Sequence, residues 1–195
     1  MHAVRDATIP PTTLAEYGVL MMTYSFVTSR YRKAMKFYNR IEEMKRTGKG
    51  PPPQRPKLSV FSDIFRGDNS PKRPLTILDE ADVIKNERSF TFAAIKELRN
   101  LFEACVMLTG SPINNKWSDI FTFHQTVESH GIETKTQMIR LLGTQQHITK
   151  KWPPPRAKSL MAYVQILNPF MVRRLGTTIQ LPPLNLEVVQ FSLSD

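Results

Sequence analysis

Three short apolar runs punctuate the chain: Val19-Leu20-Met21-Met22-Thr23, Leu75-Thr76-Ile77-Leu78 and Ala104-Cys105-Val106-Met107-Leu108. Each has the length of a strand, and the last two stop abruptly at polar residues, the pattern of strands buried on both faces. Between them Phe90, Ala94, Leu98, Leu101 and Phe102 recur at spacings of four, four, three and one, which lines one face of a helix over about 87–103. Phe26 to Met44 carries helix formers and spaced apolar residues and predicts another helix. Strand, helix, strand implies a right-handed crossover and a parallel sheet, hence an α/β fold. In such sheets functional groups collect beyond the carboxyl ends of the strands, so the residues after Leu78 and Leu108 are the ones to read for chemistry.

Prolines mark the interruptions. Gly48-Lys49-Gly50-Pro51-Pro52-Pro53, then Pro56, Pro71 and Pro74, remove backbone donors and resist regular structure. Residues 45–73 therefore read as an exposed, basic, proline-rich insertion or linker, with a short ordered piece around Leu58-Ser59-Val60-Phe61. A second block, Trp152-Pro153-Pro154-Pro155, separates the middle of the chain from its last helix.

With 195 residues the chain suffices for one ordinary domain, and its 41% apolar content excludes general disorder. No apolar stretch approaches the ~18 residues that span a bilayer, and the polar start has no signal-peptide core, which argues against membrane and secreted classes. The single cysteine, Cys105, can form no internal disulfide and reads as a small buried hydrophobe in a reducing compartment. The formal charge of +10 is unevenly spread: Tyr31 to Pro74 holds twelve basic and four acidic residues, and Thr134 to Leu160 holds six basic and none acidic. Two such segments suit a polyanion such as a phosphate backbone, although a solvated basic face needs no partner.

Directly after the second apolar run stand Asp79-Glu80-Ala81-Asp82. At the carboxyl end of a buried parallel strand, one carboxylate can hold Mg²⁺ through water while another orients an attacking water. The same residues also suit an acidic loop that caps the next helix. After the third run come Thr109-Gly110-Ser111-Pro112-Ile113-Asn114-Asn115, a turn of short hydroxyl and amide side chains able to link bound phosphate to the backbone, or to cap a helix.

Taken together these segments resemble a known family. Leu78-Asp79-Glu80-Ala81-Asp82-Val83-Ile84-Lys85-Asn86, followed by Leu108-Thr109-Gly110-Ser111-Pro112-Ile113-Asn114-Asn115 and Asp119-Ile120-Phe121, is similar to motifs two and three of the Swi/Snf-type ATPases of helicase superfamily two. Pro169-Phe170-Met171-Val172-Arg173-Arg174 and Leu181-Pro182-Pro183-Leu184 resemble the segment with which that family leaves its first RecA-like lobe, and Met22-Thr23-Tyr24-Ser25 its short strand and turn before motif two. Asp82 stands where the family usually has His, so the chain spells the Asp-Glu-Ala-Asp signature of a group of RNA helicases. Those helicases carry Ser-Ala-Thr as motif three, and Thr109-Gly110-Ser111-Pro112 favours the Swi/Snf type. Asn114 replaces the family's usual Gln.

The resemblance implies an α/β, partial RecA-like (P-loop NTPase type) lobe with a parallel sheet flanked by helices, lacking its first strand and phosphate loop. Residues 1–195 then form the latter part of the N-terminal lobe, and the second ATPase lobe is expected beyond the C-terminus. It implies ATP and Mg²⁺ as cofactors, with Asp79 as the Mg²⁺-associated carboxylate and Glu80 as the water-orienting residue. Thr109, Gly110 and Ser111 would couple nucleotide state to DNA grip, Thr23 and Tyr24 would lie near the tracked strand, and Arg173 and Arg174 would face DNA or the interlobe surface. For the two arginines, solvated charge on a helix is the alternative. The implied partners are double-stranded DNA or nucleosomes, the implied compartment is the nucleus, and no membrane role is implied. No Gly-x-x-x-x-Gly-Lys-Ser/Thr loop occurs in the sequence; around Gly48-Lys49-Gly50, Glu43 and Gly50 occupy the positions of the first glycine and the hydroxyl. The expectation is an ATP-dependent DNA translocase part that is inactive as the isolated chain. The rival is a truncated, non-catalytic protein that binds DNA or a partner.

Overall fold

A computed structural model describes residues 2–3, 9–56, 72–110, 117–127, 132–142 and 155–174. Two parallel strand pairs organise it. The first joins β1 (His2–Ala3) to β2 (Leu20–Met21), with helix α1 (Pro11–Glu16) between them in sequence. The second joins β3 (Arg73–Leu78) to β4 (Phe102–Met107), in the register Thr76 to Cys105 and Leu78 to Met107. The sequence's strand, helix, strand unit is therefore present and parallel, and the fold is α/β with helices beside the sheet, compatible with a partial RecA-like lobe. The run at Val19 to Thr23 supplies only Leu20–Met21 as strand, because Thr23 is taken as the cap of the following helix.

That helix, α2 (Tyr24–Thr47), begins where the Thr23 hydroxyl accepts from the Phe26 amide at 3.2 Å. It ends at Gly48, whose φ of 65° is the left-handed conformation that glycine adopts freely, and whose N–H donates to the Met44 carbonyl at 2.8 Å. Lys45 and Arg46 in the last turn suit the negative end of the helix dipole. The helix thus runs three residues into the stretch that the sequence assigned to the insertion. Residues 57–71, including Leu58 to Phe61, lie outside the described residues.

Helix α3 (Phe90–Arg99) packs on α2 and is shorter than the 87–103 that the periodicity predicts. At its start the Ser89 hydroxyl accepts from the Phe92 amide at 3.0 Å and fixes the N-cap. At its end the Leu101 carbonyl accepts from the Arg73 amide at 2.9 Å, so the chain leaves the helix to open the β4 ladder. The buried Arg99 guanidinium seals this corner, donating to the Phe102 and Thr126 carbonyls at 2.8 and 3.1 Å. The buried face is consequently Phe92, Ala94, Ile95 and Leu98, while Phe90, which the pattern assigned to it, is 55% exposed.

The expectation of strands buried on both faces is also corrected. Leu78 is buried and Thr76, Cys105 and Met107 are half-buried on one face, whereas Leu75, Ile77 and Val106 on the other are 45%, 60% and 44% exposed. Cys105 is accordingly half-buried rather than a core residue. The covered face meets one core of Val27, Ile84, Phe92, Ile95 and Leu98 with Ile120, Phe121, Met138 and Tyr163.

Three further helices complete the described chain: α4 (Phe121–Val127), α5 (Lys135–Leu142) and α6 (Ala157–Leu167). Helix α4 is buried nearly all round, so its polar groups find internal partners. Thr122 and Thr126 donate to the carbonyls of Asp119 and Thr122, and His124 Nε2 lies 3.1 Å from the Tyr163 hydroxyl of α6. Helix α5 opens with a reciprocal cap: Thr134 Oγ1 accepts from the Gln137 amide, and Gln137 Oε1 accepts from the Glu133 and Thr134 amides. An ion pair of Lys135 with Glu87 ties α5 to the segment before α3.

Two outcomes follow. Ile95→Ala, at a site 2% exposed in the core, is expected to cost about 2–4 kcal/mol in urea unfolding. Burial holds the His124 imidazole below its ordinary value of 6.5, so just under that pH the unfolded chain binds a proton that the folded chain refuses. Stability is therefore expected to fall as the pH drops below about 6.5. His124→Gln should flatten that part of the melting-temperature profile, and an unchanged slope would contradict the assignment.

Candidate active site at the ends of the central strands

The paired strands β3 and β4 end together. The Leu108 N–H donates to the Leu78 carbonyl at 2.8 Å, and the Ala81 N–H donates back to the Leu108 carbonyl at 2.9 Å. These two bonds bracket Asp79 and Glu80 and turn them outward, so both carboxylates are exposed while Ala81 and Ile84 are fully buried beneath them. The turn runs into a single 3₁₀ turn, Ala81–Ile84, closed by the Val83 and Lys85 amides on the carbonyls of Glu80 and Asp82.

Within the turn, Asp79 Oδ1 accepts from the Glu80 N–H at 3.0 Å, which leaves its second oxygen for other partners. Glu80 has φ 49° and ψ 50°, the left-handed region, and it is the one non-glycine residue with positive φ among the described residues. For a residue with a Cβ this conformation costs about 1–2 kcal/mol and persists only where surrounding bonds hold it. One of those bonds comes from α2: the Tyr24 hydroxyl donates to the Asp79 carbonyl at 2.8 Å, across 55 positions of sequence. Burial first, then the Asp79 carboxylate, raise the Tyr24 hydroxyl to about 12, so it remains a proton donor at neutral pH.

Thr109 is half-buried and Gly110 exposed just beyond Leu108, with open space where a side chain of residue 110 would sit. The strand ends thus bring together Tyr24, Asp79, Glu80, Asp82 and the Leu108-Thr109 backbone. Thr23 lies exposed beside them, its hydroxyl shared between the Phe26 amide and Ser25. Arg173 and Arg174 are exposed in the segment after α6, outside any helix, and Ser111 lies outside the described residues.

An exposed carboxylate with a free oxygen fits the way Mg²⁺ is held, through one or two carboxylates, waters and substrate phosphates. Asp79 would hold the ion, which neutralises phosphate charge when bound, and Glu80 would face the attacking water. Among the described residues no three His, Cys, Asp or Glu side chains are grouped so as to hold a metal ion, so Asp79 would need water and substrate phosphates to complete the coordination.

A second feature was only half legible in the sequence. Between the N-terminal half of α2 and the start of α3 runs an open groove of about 450 Å³, with the hydroxyls of Ser25, Ser29, Thr28 and Thr91 and the cations of Arg32, Lys33 and Lys36. The two threonine hydroxyls meet at 3.3 Å, and the Arg32 guanidinium sits 5.0 Å over the Phe90 ring, which explains that ring's exposed position. Among the described residues no carboxylate lines the groove. Charge counting located the basic segment; the helical spacing of Ser25, Ser29 and Lys33, and of Thr28, Arg32 and Lys36, is the signal that would have found the face.

No curated protein and no solved structure matches the chain. The family described as the SNF2-related domain matches residues 2–195. With its acidic pair at paired parallel strand ends and its family match over nearly the whole sequence, the chain belongs to the SNF2-related domain family, a family of nucleotide-dependent ATPases that generally act on DNA.

Proposed function

We propose that the chain is the motor portion of an ATP-dependent, double-stranded DNA translocase that remodels nucleosomes or serves DNA repair in the nucleus. The observation that carries this reading is the exposed Asp79-Glu80 pair, fixed between the Leu78-Leu108 and Ala81-Leu108 backbone bonds at the ends of two parallel strands. Asp79 holds Mg²⁺ through water, Glu80 orients the attacking water, and Thr109, Gly110 and Ser111 couple nucleotide state to DNA grip. Thr23 and Tyr24 lie near the tracked DNA strand, and Arg173 and Arg174 face DNA or the interlobe surface. The groove of Arg32, Lys33 and Lys36 supports a backbone contact with DNA, since its cations stand beside hydroxyl donors and, among the described residues, no carboxylate. A reading without catalysis, in which the chain binds DNA through this groove alone, rests on the same observation.

Hydrolysis needs more than the metal side. The phosphate-cradling signature is absent from the 195 residues, so positioning and charge stabilisation of the transferred phosphoryl are incomplete. The 195-residue chain alone is expected to give no DNA-stimulated hydrolysis of ATP. Turnover by the chain that Glu80→Gln abolishes would contradict this.

Glu80→Gly separates chemistry from folding. It relieves the left-handed backbone and should stabilise the chain by about 1 kcal/mol in thermal unfolding, whereas Glu80→Gln should leave stability nearly unchanged. In the native-length protein both should lower DNA-stimulated turnover by about 10²-fold or more. For the groove, Lys33→Ala with Lys36→Ala should reduce the slope of log affinity for duplex DNA against log salt by about 2. An unchanged slope would exclude the groove as a phosphate contact.

A further inference from the structure

We propose that Tyr24 is the positioning residue of the acidic turn, coupling the start of α2 to the backbone that carries Asp79 and Glu80. This inference rests on the reading of that pair as the catalytic carboxylates, but its structural half stands independently.

The turn spans few residues, and its backbone groups are held from several directions. Leu108 of the β4 end binds on both sides, through the Leu78 carbonyl and the Ala81 amide. The Asp79 side chain holds the Glu80 amide, and the Val83 amide holds the Glu80 carbonyl. The Asp79 carbonyl, which immediately precedes the left-handed Glu80, is held by the Tyr24 hydroxyl. A peptide plane that lost this donor could rotate, and rotation there moves ψ of Asp79 and φ of Glu80 together. Both carboxylates would then leave their present directions while the strand pair stayed intact.

Tyr24 is well placed to hold such a plane. It is the first residue of α2, its neighbour Thr23 caps the helix, and the Val27 amide bonds back to the Thr23 carbonyl at 3.1 Å. Val27 is in the core, so the hydroxyl is delivered from a rigid base. Ser25, the next residue, lines the basic groove. A polyanion seated there meets the same helical turn that holds Asp79, which gives a direct mechanical path of one residue and one hydrogen bond from groove to carboxylates.

The test is Tyr24→Phe, which removes one oxygen and leaves the ring. By nuclear magnetic resonance on the full chain, the Glu80 and Ala81 amides should exchange about tenfold faster, and the Asp79 carbonyl carbon should shift upfield. Exchange at Leu75 to Ile77 in the β3 ladder should stay within twofold. Unchanged exchange at Glu80 and Ala81, or an equal rise in the ladder, would overturn the proposal, the second because it marks general destabilisation. Should the variant fold poorly, Tyr24→Leu, which fills part of the same space and has no side-chain donor, provides the same comparison. In the native-length protein Tyr24→Phe should lower kcat for ATP about tenfold with KM within twofold. A raised KM at unchanged kcat would contradict the positioning role. If Glu80→Gln leaves turnover intact while the exchange result holds, the catalytic reading fails and the positioning of the turn does not.

Discussion

The parallel pairing of β3 with β4 is the constraint on which the rest depends. Its last two bonds, from Leu108 to Leu78 and from Ala81 to Leu108, decide that Asp79 and Glu80 face outward while Ala81 and Ile84 are buried below. A parallel ladder requires a crossover, and α3 supplies it, packed on α2 and capped at Ser89. The geometry of the acidic turn is therefore set by backbone bonds, with side chains fixing only the details.

Those details show where the fold accepts strain. Glu80 occupies a conformation suited to glycine, and the bonds around it come from β4, from its own turn and from Tyr24. Such local cost at exposed acidic residues is characteristic of functional turns, where surrounding structure holds a direction that the backbone alone would not choose. The core behind it is built differently. Helix α4 is buried nearly all round, with its threonines, His124 and the adjoining Arg99 guanidinium satisfied internally, so little polar cost remains there. The outer face of β3 and β4, by contrast, exposes Leu75, Ile77 and Val106 as a stripe at the strand period.

The sequence disclosed the two central strands, the crossover helix and the acidic turn, because short apolar runs ending in polar residues are a local signal. It overestimated α3 since Leu101 and Phe102 continue an apolar pattern whose helical part is ended by the non-local bond from Arg73 to Leu101. It overestimated strand burial for a related reason: a continuous apolar run does not report how many layers cover it. The roles of Thr23 and Tyr24 were suggested through family resemblance alone. The Thr23 cap is a local bond to the Phe26 amide, but that the Tyr24 hydroxyl reaches Asp79 is a contact across the fold, which periodicity cannot reveal.

The most direct measurement is the rate of DNA-stimulated ATP hydrolysis by the native-length protein that carries this chain, compared with its Asp79→Asn form. Mg²⁺-dependent turnover is expected to be largely lost on removing this one charge, with duplex DNA still bound. Equal turnover by the two forms would show that the acidic turn is not the metal side of the site.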